Sequence, residues 1–143
     1  MKTIVLACIA FMGGAIIYIL FRPTHLLMFN WIDNLGLMGL VNSIRPNLEN
    51  MPEWILYSLP DGLWLFSYCL FIGYVWDFEL KRCLFVLSIL PVYAVSNEIM
   101  QFFHLVSGTF DRMDLFAFLL AFALGVLYIN CNKEEARREE INH

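Results

Sequence analysis

Residues 3–21 read TIVLACIAFMGGAIIYILF, a run without a charged side chain, closed off by Lys2 before it and Arg22 after it. A helix rises about 1.5 Å per residue, so roughly 20 apolar residues cover the ~30 Å hydrocarbon core of a bilayer. Charges used as punctuation mark three more runs. Gly62–Trp76 lies between Asp61 and Asp77, and Leu115–Asn132 carries no charge. A third run starts at Cys83 and reaches Leu105, interrupted by Glu98, Gln101 and His104. The Gly62–Trp76 run is the shortest and spans only by borrowing residues past Trp76.

Composition agrees with this reading. Of 143 residues 60% are hydrophobic and 15% charged, against roughly 45–50% and 25% in soluble domains. A soluble chain this short cannot bury so much apolar surface. The net charge of −4 argues against a nucleic-acid partner. The expected fold is an all-α membrane protein of one domain with four transmembrane helices, at 1–22, 61–80, 83–106 and 111–132. An amphipathic or interfacial helical segment at 23–60 separates the first and second, and a cytoplasmic tail follows at 133–143.

Lys2 before an apolar run also suits a signal peptide, but Phe21-Arg22-Pro23 makes a poor small-residue cleavage site. The first segment therefore reads as an uncleaved anchor. Placing both termini in the cytoplasm puts Lys2, Lys81, Arg82, Lys133, Arg137 and Arg138 inside, and only Arg22, Arg45 and Arg112 outside. That bias follows the positive-inside rule. Cys8 and Cys69 lie within apolar runs, and Cys83 and Cys131 at their ends. Without a zinc-type spacing they read as unpaired thiols.

Between Pro23 and Pro60 the chain is too polar to span and too apolar to be a free loop. His25–Ile44 sets Asn30, Asp33 and Asn34 on a narrow polar strip, as in an amphipathic helix lying in the interface, although Gly36 and Gly39 weaken it. A loop packed over the bundle accounts for the stretch equally well. Asn50, Pro52 and Glu53 resemble the start of another short helix.

In so apolar a chain the acids carry the information. Glu98 sits within the third run, and an acid in a membrane helix must face the bundle, be protonated or find a partner. Gln101, three residues on, shares its face. The second and fourth helices begin at the same level, near Asp61 and near Asp111 and Asp114, with Arg112 and His104 available as counter-charges. Asp61 and Asp111 (or Thr109) also suit helix N-caps, and Gly108 suits the residue just past the third helix. Pro91 and Ser96 read as a kink and its repair. The expected ligand-binding set is Glu98, Gln101, Asp111, Asp114, Asp61 and Arg112 around one outward-facing pocket. The first helix reads as a plain anchor.

Asn97-Glu98-Ile99-Met100-Gln101, the stretch Gly108-Thr109-Phe110-Asp111-Arg112-Met113-Asp114, and Gly125 in the last helix resemble the VanZ-like family of small bacterial membrane proteins, named for a teicoplanin-resistance protein. Ser58-Leu59-Pro60-Asp61-Gly62-Leu63-Trp64 looks like an element of a related group. The likeness covers roughly residues 47–129. It departs at Asn97, where an Asp is usual, and at Phe118, where an Asn often stands. Such a resemblance implies a plasma-membrane protein acting at the cell-envelope surface and does not imply a reaction.

Three functions compete at this level. The first is a non-enzymatic protein whose acidic pocket binds a lipid headgroup, peptide or antimicrobial compound. The second is a membrane enzyme that holds a divalent cation, Mg²⁺ or Ca²⁺, among these oxygens and acts on lipid phosphates. The third is an assembly subunit, as a homo-oligomer or in a membrane complex, that packs through Gly13-Gly14 with Ala10 and Ala15, or through Gly125 with Ala121.

Overall fold

The computed structural model describes residues 2–24, 26–45 and 52–141, the side chains of 135–141 excepted. His25, Asn50, and the side chains of Arg137 and Arg138 used in the charge tally lie outside the described residues. Every element among the described residues is a helix: α1 Lys2–Phe21, α2 Leu27–Asn34, α3 Met38–Ile44, α4 Glu53–Leu56, α5 Ser58–Val75, α6 Leu80–Phe102 and α7 Arg112–Ile141. Three of them, α1, α6 and the Arg112–Glu134 part of α7, are long and apolar enough to cross a membrane. Large apolar side chains on these helices point outward, among them Ile9, Phe85, Val92 and Leu127. That is the surface expected where lipid replaces water as the solvent.

The four long helices alternate in direction. Thr3 on α1 shares a hydrogen bond with Tyr128 of α7 at 3.1 Å, and Lys133 of α7 pairs with Glu79 just before α6 at 3.0 Å. These contacts mark one end of the bundle. At the other end Arg22 faces Asp61, and Asp111 meets Glu98. Helix α5 is the centre, packed most extensively against α1 and α7 and less against α6. Its far half joins the core, where Cys69, Ile72, Cys83, Leu87 and Ile129 are buried together. All four cysteines are free thiols.

Small residues let α5 sit this deeply. A Cβ at Gly14 would come within 2.8 Å of the Trp64 ring. At Gly125 it would meet Cys69 Sγ at 3.0 Å. The small faces at Gly14 and Gly125, read as docking surfaces for a partner, are therefore used within the chain itself.

Several boundaries shift from the sequence reading. Helix α5 starts at Ser58, so Asp61 lies in its first turn and does not cap it. Pro60 is tolerated there because the first N–H groups of a helix have no intrahelical partner. The single amphipathic helix expected at 25–44 is two short ones, α2 and α3, broken where Gly36 takes φ +71°. The left-handed residue that closes α6, after the cap Phe103, is His104 at φ +57°, and Gly108, also at positive φ (+133°), lies further along the connection. The His104 N–H bonds Gln101 O, and Leu105 N–H bonds Met100 O, both at 2.9 Å, the crossed pair that closes a helix end. The same closure ends α5 at Asp77, φ 49°. Pro91 lies inside α6, but Ser88, not Ser96, bonds a nearby carbonyl, Phe85 O at 2.8 Å.

Candidate functional site

A cavity of about 480 Å³ opens at the end of the bundle where α1 finishes, and α5 and α7 begin. Each helix sends a different group into it. Asp61 comes from the first turn of α5, Glu98 and Gln101 from the last turns of α6, and Asp114 from the first turn of α7. The helix N-termini set the positions of Asp61 and Asp114, because their free amides favour negative charge. Trp64, Leu90, Tyr93 and Phe118 supply apolar wall.

Glu98 is the most enclosed of the acids, at 5% exposure. One oxygen accepts the backbone N–H of Asp111 at 3.2 Å. Asp111 itself turns its carboxylate to the N–H of Met113 at 2.8 Å and so caps α7. It therefore contributes to the site through its backbone and is not part of the cavity wall. Asp114 keeps one carboxylate oxygen buried with no hydrogen-bond partner among the described residues, a costly state that a bound donor would relieve.

The cation of this site is Arg22, not Arg112 or His104. Arg112 and His104 are exposed and absent from the cavity wall. Arg22 extends from the end of α1, approaches Asp61 at 3.8 Å and donates to Tyr57 O at 3.3 Å. Its guanidinium lies over the rings of Tyr18 and Tyr57, 5.3 and 4.7 Å from their centroids. This stacking steadies a charge beside an apolar wall. Arg45 supports it from α3's end by donating to Arg22 O at 2.5 Å. Local reading missed Arg22 because its partner lies far along the sequence. The one available signal was its position at an end of an apolar run, the same level as Asp61.

Chemically, the cavity offers three carboxylates and one guanidinium to a polar molecule, with Gln101, Asn97 and Thr109 as neutral hydrogen-bonding groups. Among the described residues no three His, Cys, Asp or Glu side chains converge closely enough to hold a metal ion. The fold and site define an all-helical chain with three helices of membrane-spanning character around a charged end cavity. No family model, curated protein or solved structure matches the chain.

Proposed function

We propose that the chain is a four-span membrane protein, VanZ-like in kind, whose end cavity binds the cationic part of a cell-envelope component: a lipid headgroup, peptide or antimicrobial compound. The observation that carries this reading is the meeting of Asp61, Glu98 and Asp114 in one cavity opposed by a single arginine, Arg22. Carboxylates in an enclosed site favour a cation with N–H donors, which exchanges water for charge-assisted hydrogen bonds.

Helix α5 is the fourth span in this reading. Its 18 residues rise roughly 27 Å, and it lies between two helices of spanning length. Lys2, Lys81, Arg82 and Lys133 stand at the end opposite Arg22, Arg45 and Arg112, which favours cytoplasmic termini and a cavity facing outward from the bacterial plasma membrane. A reporter fused after His143 is expected to be active only in its cytoplasmic form.

Binding is tested with a fluorescent primary amine, dansylcadaverine, titrated into the purified chain. Wild type is expected to bind saturably, and Glu98→Gln, which keeps the acceptor for Asp111 N–H, to bind about tenfold more weakly for one lost charge-assisted bond. Equal binding by the two proteins overturns the reading.

A further inference from the structure

The cavity does not end at its polar wall. Trp64 and Leu90 line it and also line a second hollow, of about 600 Å³, that runs along α5 between α1 and α6. From Met12 back to Ile4 this groove extends roughly 12 Å along α1 at 1.5 Å per residue. Helices α1 and α6 flank α5 without extensive contact with each other, so the groove opens sideways on the apolar flank of the bundle.

Its chemistry is the opposite of the cavity's. The polar groups of the groove are turned onto backbone carbonyls. Ser67 donates to Ala7 O at 2.8 Å, Trp64 Nε1 to Phe11 O at 3.2 Å, and the Tyr68 hydroxyl to Val86 O. What remains exposed is apolar, with Cys8, Phe11, Phe71 and Leu90 on the walls. The cavity keeps free polar capacity instead. Among the described residues, one oxygen of Asp114 and Nε of Arg22 are buried without hydrogen-bond partners, and one oxygen of Glu98 has no hydrogen bond.

We infer that the two hollows form one site for a single bilayer lipid with a zwitterionic, primary-ammonium headgroup, its acyl chain lying in the groove between α1 and α6. The inference rests on the cavity reading above and specifies its occupant. A headgroup with only negative charge would face three carboxylates. One carrying both an ammonium and a phosphate places the ammonium toward Glu98 and Asp114, and the phosphate toward Arg22. A trimethylated ammonium lacks the N–H donors that these carboxylates accept, so ethanolamine is favoured over choline headgroups. The chain enters laterally, because the groove is open along the flank that faces lipid.

The full chain is mixed with vesicles of equal parts phosphatidylethanolamine, phosphatidylglycerol and phosphatidylcholine, extracted in mild detergent, and its retained lipid identified by native mass spectrometry. One ethanolamine lipid per chain is expected, with roughly tenfold preference over the others, as a charge-assisted hydrogen bond allows. Met12→Trp and Cys8→Trp, at exposed positions on the groove wall that do not line the cavity, are expected to lose retained lipid of every class while still binding dansylcadaverine. Retained lipid in the proportions of the mixture overturns the inference, as does unchanged retention in both groove variants. Either result with Glu98-dependent amine binding intact leaves the cavity reading standing. Equal amine binding by wild type and Glu98→Gln removes both.

Discussion

One carboxylate oxygen of Glu98 accepts the backbone N–H of Asp111 at 3.2 Å, tying the last turns of α6 to the residue that caps α7. The contact makes Glu98 a structural residue as well as a cavity acid, and the two roles separate by substitution. Glu98→Gln retains an acceptor and is expected to melt close to wild type in detergent. Glu98→Ala strands the Asp111 N–H and is expected to lose about 1–3 kcal/mol. Thermal unfolding of the two variants side by side checks the distinction.

The tight contact of α7 with α5 at Gly125 is expected to tolerate little added bulk. A side chain at Gly125 runs into Cys69 at the centre of the bundle. Gly125→Val should destabilise by roughly 1–3 kcal/mol through overpacking. Trimming the other side with Cys69→Gly should restore part of the loss, at the helix cost of about 1 kcal/mol that glycine carries. A double-mutant cycle on unfolding free energy measures the coupling, and additive effects would show that the two residues do not collide.

His104 holds the left-handed backbone that ends α6, a conformation in which a Cβ is crowded. His104→Gly removes that crowding and is expected to stabilise by about 1 kcal/mol, without altering amine binding. A lower melting temperature would mean that the imidazole contributes more than its backbone conformation costs.

At the opposite end of the bundle, the Lys133 ammonium bonded to Glu79 holds its carboxyl below the usual glutamate range. A carboxyl depressed on folding stabilises above its unfolded pKa, and the effect disappears as pH falls through the folded value. Both side chains are well exposed, so the effect is small and weakened by salt. The melting difference between wild type and Glu79→Gln is therefore expected to hold from neutral pH to about pH 5. It should fade in more acid solution, and a difference that grows on acidification would contradict the pairing.

Much of the architecture was legible because lipid-facing helices announce themselves by composition. Apolar runs bounded by charge placed both ends of α1 and α6, and the start of α7, within four residues of their observed bounds, while α7 continues to Ile141, well past the expected end at 132. Helix α5 was harder, since Pro60 and Asp61 look like a preceding turn when they in fact occupy the first turn of the helix. Gly108 drew attention as a terminator, yet the chain turned at His104, where two backbone hydrogen bonds outweigh the conformational preference of one residue. The 25–44 stretch misled through the polar strip of Asn30, Asp33 and Asn34, which lies wholly within α2 and says nothing of the break at Gly36.

The cavity acids were visible because an ionisable residue among apolar neighbours is conspicuous wherever it lies. Their cation was not. Arg22 served the sequence reading as a boundary charge and an outer-side basic residue, since its pairing with Asp61 and its stacking on Tyr57 depend on how α1 and α5 pack. Local periodicity carries no trace of such pairing. The apolar groove was hidden for the same reason. It is a gap between helices, and gaps have no letters.

The burial of α5 between α1 and α7 also sets a schedule. Ribosomes deliver α1 and its arginine before α5, so Asp61 emerges with a neutralising neighbour already made. The Cys69 side of α5 has no such provision. Cys83 and Leu87 of α6 reach it first, and its cover is complete only when the segment containing Gly125 and Ile129 has been synthesised. A chain that stalls before α7 therefore presents α5 with the face that meets Gly125 and Ile129 unpacked.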